Sequence, residues 1–349
     1  MFNSKALNTV PFIISLASGV AAMSLMAPSA QAQAVPSDTV DEIALLPRIA
    51  YEQFASHRRT FAPGAYTNED DTFSAWMAIT SADAELDMPV QTGRAHTSQD
   101  GAILGGETRL MSDFVLGGVL SVGESTAEFT SGGRYALEGG SLSVYGAYDS
   151  EMLGRLSLTV TRGGHQLDNI SRASTTLTDV ANGTTNTSFW DVAFSARSTD
   201  EFDMFEIEHG ITLAAGRVEA DGFSETSATG TAFAFEEQAF NYRLVSLDAT
   251  ARGPEWPLTD AVTLRPVADI DWTYQFGDDD FGLQYRTVGA TSPFTTVRAN
   301  APADHTVGLG FGAELTFNDT WMLTARYARQ WADDVHDSDA ATLTLHAVF

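Results

Sequence analysis

From Phe73 to the last residue the side chains alternate with a period of two, and the alternating runs are long. In 307–317, Val307, Leu309, Phe311, Ala313, Leu315 and Phe317 share one face, and Gly308, Gly310, Gly312, Glu314 and Thr316 the other. Trp321, Leu323, Ala325, Tyr327 and Trp331 share a face in the next run, interrupted by Arg329. The final run alternates Ala341, Leu343, Leu345, Ala347 and Phe349 with Thr342, Thr344, His346 and Val348. The same template predicts about twelve segments, near 73–82, 100–111, 114–125, 139–149, 151–164, 188–198, 202–217, 241–252, 261–274, 304–317, 320–331 and 339–349. Most exceed the roughly 5–6 residues of an ordinary globular strand. They match the roughly 9–11 residues that a tilted strand needs to cross a bilayer.

Connection lengths alternate as well. Residues 112–113, the Ser150-Glu151 junction, 199–201 and 318–319 are tight, whereas 126–138, 165–187, 218–240 and 275–303 are long. Short turns at one end and long loops at the other are the pattern of an outer-membrane barrel. The second face argues against a soluble sandwich, because it mixes small residues with isolated charges of both signs. Glu206, Glu208, Asp269, Asp271, Glu314 and Arg326 are the charges expected on a lumen wall. Trp76, Tyr148, Trp190, Tyr242, Trp272, Tyr274, Trp321 and Trp331 are candidates for aromatic girdles at the two bilayer interfaces. The expected fold is all-β, an antiparallel transmembrane barrel of about twelve strands over residues 73–349.

Residues 1–34 read as an export signal. Lys5 precedes an apolar stretch from Phe12 to about Ala27, and Ala32-Gln33-Ala34 offers a small-residue cleavage site. Residues 35–72 read as a short helical segment. Pro36 to Thr39 hold N-cap candidates, Pro47 kinks or restarts the helix, and His57-Arg58-Arg59 place cations where a helix C-terminus favours them. Inside a barrel, such a helix would set those cations against Glu206, Glu208, Asp269, Asp271 and Glu314 and plug the lumen.

Composition narrows the chemistry. With 19 Lys+Arg against 46 Asp+Glu the 349-residue chain carries a formal charge of −27, which excludes a nucleic-acid backbone binder. It contains no cysteine, so disulfides, thiolate metal sites and Cys nucleophiles are excluded. No zinc-protease, phosphate-loop or serine-elbow motif occurs. His165 and His209, near Asp168 and Glu208, are the candidates for a membrane-embedded hydrolase, and exposed loop or lumen histidines are the commoner reading. Asp278–Asp280, Asp333, Asp334 and Asp337 are read as solvated loop acids rather than a calcium site. No catalytic residue, metal site or cofactor is expected.

The body resembles the translocator domain of autotransporters. The resemblance rests on Gly105-Gly-Glu-Thr-Arg109 leading into Leu116-Gly-Gly-Val-Leu120, then Leu142 to Tyr148 followed by Leu156-Ser-Leu158. It continues with Arg172 after a turn near Asp168, the Leu264-Arg-Pro-Val-Ala-Asp-Ile270 strand and a terminal strand ending in Phe349. It implies a twelve-stranded barrel with a helix in its lumen, in the outer membrane of a Gram-negative cell. It also implies a terminal strand, here with Leu343, Leu345 and Phe349, that serves as the tag for the barrel-assembly machinery.

The implied partners are periplasmic chaperones, outer-membrane lipid and lipopolysaccharide, and the barrel is expected to be a monomer that binds no nucleic acid. The departure from the family is the passenger, since little beyond the helix lies between residues 35 and 71. The expected function is a translocator or residual scaffold with a minimal passenger. The rivals are a surface-loop adhesin or receptor, a small diffusion pore and, further off, a hydrolase.

Overall fold

The computed structural model describes residues 41–60, 72–87, 94–173, 180–227, 232–277, 280–291, 293–300, 305–318, 320–332 and 335–349. Among the described residues two helical pieces come first, α1 (Asp41–Ala44) and α2 (Leu46–Thr60), and the strands follow them. Leu45 is the turn between them, its N–H donating to the Glu42 carbonyl at 3.3 Å. Pro47 falls in the first turn of α2, where a missing N–H costs nothing.

Seventeen strands follow: β1 (Phe73–Asp87), β2 (Arg94–Met111), β3 (Phe114–Phe129), β4 (Arg134–Ser150), β5 (Gly154–Ala173), β6 (Val180–Phe202) and β7 (Phe205–Ala220), then β8 (Phe223–Ser224), β9 (Phe233–Phe235), β10 (Gln238–Arg252), β11 (Trp256–Thr259), β12 (Val262–Gly277), β13 (Asp280–Thr287), β14 (Thr295–Asn300), β15 (His305–Phe317), β16 (Trp321–Ala332) and β17 (Val335–Val348). Twelve of them, β1–β7, β10, β12 and β15–β17, form a closed antiparallel barrel. The last strand pairs with the first, with Ile79 opposite Leu343 and Ala75 opposite Ala347, and β10 pairs with β12. Closure leaves no barrel edge with unpaired backbone groups, which a bilayer core would not tolerate.

The pleat sorts the residues. Leu104, Leu120, Leu142, Leu158 and Phe311 point outward and are half exposed or more. Gly308 and Gly310 point inward, where the side chains of their ladder partners Asp271 and Asp269 lie over them. Four inward aromatics use the same device: Trp76 lies on Gly105, Tyr145 on Gly117, Phe189 on Gly163 and Tyr242 on Gly216, each pair facing across a ladder. A glycine opposite a ring gives the ring room to lie flat against the wall.

Three sequence expectations are corrected. Trp76 and Tyr242 are not girdle residues, because their glycine partners let them turn into the lumen, where both are buried. Tyr148, Trp190, Trp272, Tyr274, Trp321 and Trp331 do face outward. The turn placed at 199–201 lies within β6; the chain reverses at 203–204. The described residues of the long connections are also largely strand and not loop. Strands β5 and β6 run through most of 165–187, and parts of 218–240 and 275–303 fold as a second sheet in the order β14-β13-β9-β8. The hairpins continue past the apolar span because the ladder persists where Thr, Asn and Gly replace the lipid-facing residues.

Candidate functional site: the filled lumen

The lumen has two storeys. On the loop side its wall is apolar, with Leu86, Ala127, Phe129, Leu137, Val218 and Phe240 buried around the helix. Ile43, Leu46, Ile49, Ala50, Phe54 and Ala55 of α1 and α2 fill that socket and are at most 3% exposed. The rings lock together, Tyr51 lying 4.8 Å from Tyr242 and Phe54 4.7 Å from Phe189. Burial of a helix on all sides removes apolar surface from water at about 25 cal/mol per Å², so the seat is stabilised chiefly by this storey. An aqueous lumen lined throughout by small and charged residues was the sequence expectation; the apolar socket corrects it.

The helix has a direction. At its start, Ser131 in the β3–β4 connection donates to the Glu42 carboxylate, and Tyr135 Oη donates to the Glu42 carbonyl at 3.4 Å. Gln238 Nε2, at the first residue of β10, donates to the Ile43 carbonyl at 3.3 Å. The N-terminal end of α1 therefore lies at the loop end, while β1 starts at the turn end, where Phe349 N donates to the Phe73 carbonyl at 2.9 Å.

At the other end of α2, Arg58 reaches Asp191 in the middle of β6, its Nη1 donating to Oδ2 at 3.2 Å. Arg59 donates to Gln330 of β16, and its charge also bears on Asp271. His57 packs against Gly101 of β2 with its ring buried, and burial lowers the imidazole from 6.5 to about 4. Burial also pushes the Tyr51 hydroxyl up to about 12.

Below the helix the wall is charged. Arg252 donates to Glu206 at 3.0 Å, Glu208 at 3.1 Å and Glu314 at 3.3 Å. Arg197 joins Glu208 at 3.1 Å and Asp248 at 2.7 Å, and Arg265 meets Glu206 at 3.0 Å. Arg326 lies 3.8 Å from Glu314 and 3.9 Å from Asp269. The six expected wall charges all line this lower storey: Glu206, Glu208 and Glu314 border a cleft of 1040 Å³ at the turn end, and Asp269, Asp271 and Arg326 border the space beneath the helix end.

Glu206, Glu208, Glu314 and Asp269, however, pair with arginines of the wall and not with the helix. The helix's partner is instead Asp191, which the sequence places on the lumen face but does not mark as the helix's counter-charge; its distinction is that Tyr242 and Arg58 converge on it. The arginines Arg197 and Arg252 were the other missing half of the belt.

The remaining candidates do not form a catalytic group. His165 faces inward, its Nδ1 3.0 Å from Thr187 Oγ1. His209 sits near the turn end, half exposed and 3.7 Å from Asp200. Asp168 is held by Gln166 at 2.7 Å. Among the described residues no cluster of His, Asp and Glu could hold a metal ion. Asp278, Asp279, Asp333 and Asp334 lie outside the described residues, as do residues 1–34. Leu343 and Leu345 face outward on β17, and Phe349 is exposed, its ring 6.2 Å from Phe73 and 6.5 Å from Trp321.

The comparisons agree with this architecture. Residues 75–328 match the family model of the autotransporter beta-domain. The fold is similar to the translocator domain of the autotransporter NalP from Neisseria meningitidis, at 15% identity over 89% of this chain and 97% of that one, with a TM-score of 0.62. It is also similar to the beta domain of the Bordetella autotransporter BrkA, at 14% identity over 80% of this chain and all of that one, with a TM-score of 0.59. No curated protein matches the chain by sequence.

Proposed function

Because this chain belongs to the autotransporter beta-domain family of outer-membrane barrels, we propose that it carries its own N-terminal segment through the lumen to the loop side and keeps α1 and α2 behind as the seal. The direction of the helix carries this reading. Glu42 is bonded at the loop end and Arg58 halfway down the wall, whereas β1 begins at the turn end beside Phe349. The N-terminus of the helix and the start of the first strand thus lie at opposite ends of the barrel. A segment preceding α1 emerges on the loop side, which this reading places outside the cell.

The finer steps belong to the same reading. Residues 1–34 direct export and are removed at Ala34, the outward face of β17 with Leu343, Leu345 and Phe349 is read by the assembly machinery, and chaperones carry the chain to it. Lipid and lipopolysaccharide surround the finished monomer. The barrel acts through topology and not through bond chemistry, which accords with the separation of His165 from His209. An adhesive role for free loops is disfavoured by the packing of β8, β9, β13 and β14 into a second sheet.

The test is an epitope inserted after Ser37. Antibody labelling of intact cells is the expected result. Labelling that requires permeabilised outer membrane would overturn the reading.

A further inference from the structure

One side of the helix seat is unlike the rest. Most of α2 meets apolar wall, but Gln53 and His57, one turn apart, face a strip of small and polar residues on β2 and β3. A side chain at Gly123 would meet Gln53, and one at Gly101 would meet His57. Both amide atoms of Gln53 and the hydroxyl of Ser125 are buried without a hydrogen-bond partner. His165 of β5 stacks on Phe189 at 5.7 Å, and Phe189 in turn packs on Phe54 of the helix. His165 is near enough to His57 for the charge of one to act on the other. Two buried imidazoles thus stand at one seam, one on the plug and one on the wall.

We propose that this seam is an acid-operated latch: protonation of His57 and His165 drives α2 from its socket and turns the sealed barrel into a conducting pore. Among the described residues no carboxylate acts on either imidazole. Asp191 on β6 is already engaged by Arg58 and by Tyr242 of β10. The strip on β2 and β3 presents Thr97, Gly101, Gly123 and Ser125, and β7 presents Ala214 and Val218. Glu107 of β2 lies further toward the turn end, bonded to Tyr145, and Glu208 of β7 belongs to the arginine belt. The helix itself adds Arg58 and Arg59, which repel an imidazolium, and Glu52.

The sign follows from burial. A histidine held at about 4 in the seat and at 6.5 when released favours the seat fully above pH 6.5. That preference fades as pH falls from 6.5 to 4, by about 300-fold in the seating equilibrium for His57 alone. Because the unsatisfied Gln53 and Ser125 lie in the same seam, this is the side of the interface that yields first.

The experiment is potassium chloride conductance of the full mature chain in a planar bilayer, stepped from pH 7.5 to 4.5. Reversible opening between pH 6.5 and 4.5, to the conductance of a barrel lacking residues 35–60, is expected, and His57→Gln with His165→Gln should remain shut to pH 4.5. A wild-type barrel shut at pH 4.5 overturns the latch, as does a double variant that opens with the wild-type midpoint. If Asp191→Asn abolishes the acid response while the histidine variant keeps it, the carboxylate is the trigger and the proposal falls.

Each protein is first checked for its compact unboiled band on a gel. Should the double variant fail that check, the imidazole proton shifts of the wild type decide. Titration together with opening supports the latch, and free titration near pH 6.5 with the barrel shut rejects it. A barrel lacking residues 35–60 that does not conduct would refute the plug itself, separately from the latch and from the surface display of residue 37.

Discussion

Arg58 and Tyr242 donate to the same oxygen of Asp191, at 3.2 and 2.7 Å, so one wall carboxylate holds the end of the plug and an aromatic of the neighbouring wall together. Asp191 is 1% exposed, and removing one partner of such a pair strands the other's charge, at about 3–5 kcal/mol. Asp191→Ala is therefore expected to loosen the helix more than Arg58→Ala with Asp191→Ala together. Open time in single-channel records measures it. Equal effects of the single and double variants would mean that the Arg58 charge costs nothing once Asp191 is gone.

Tyr145 lies flat on Gly117, its ladder partner, and donates to Glu107. Gly117→Val drives a branched side chain into that ring, and overpacking of this kind costs about 1–3 kcal/mol. Gly118→Val, one residue along, points to the lipid, where the nearest atom to a new Cβ is the Ser143 carbonyl at 3.5 Å. The temperature at which the compact gel band is lost should fall for the first variant and stay for the second. A fall in both would show only that β3 dislikes branching at its glycines.

The lipid-facing half of this fold is legible in sequence because lipid imposes one rule on every outward residue. Leu309 and Phe311 declare themselves against Gly308 and Gly310, and the closing pair β1–β17 follows from strand number. The inward half obeys no single rule. Trp76 and Tyr242 have the composition of girdle residues and turn inward because Gly105 and Gly216 stand opposite, a fact that depends on register. The wall acids were recognisable as lumenal, but their pairing was not, since Arg252 of β10 reaches Glu206 and Glu208 on β7 and Glu314 on β15, strands distant from it in sequence. The second sheet was invisible for another reason. Its strands β8 and β9 hold two and three residues, too few to show a period.

Arg172 and Glu225 tie that second sheet to the barrel wall. The guanidinium of Arg172 on β5 is bidentate to Glu225, both bonds at 2.8 Å, and it lies 4.7 Å from the centre of the Phe233 ring. Glu225 also accepts the Phe233 N–H at 2.9 Å, and both charged side chains are fully buried. Glu225→Ala leaves a buried cation and a backbone donor without it, at about 3–5 kcal/mol. Protease added outside the cell should then cut within 223–235 while the barrel keeps its compact band. Resistance equal to wild type would show that the aromatic cluster of Phe223, Phe235 and Tyr285 holds the sheet alone.

Arg252 governs the charge of the lower storey. It bonds three glutamates, and the belt sets Arg197, Arg252, Arg265 and Arg326 against Glu206, Glu208, Glu314, Asp248 and Asp269. With four cations against these five anions, and Asp271 beside them, the wall keeps a net negative charge, and a barrel freed of residues 35–71 is expected to conduct strongly with cation preference. Arg252→Ala removes the cation at the centre, so Glu206, Glu208 and Glu314 face the pore with less compensation. The reversal potential under a potassium chloride gradient should move further toward the cation limit, and the shift should shrink in high salt as screening grows. Conductance of the shortened chain equal to that of the intact one would show that α1 and α2 do not block the pore. An unchanged reversal potential would place the narrowest point of the lumen above the belt, near Asp191.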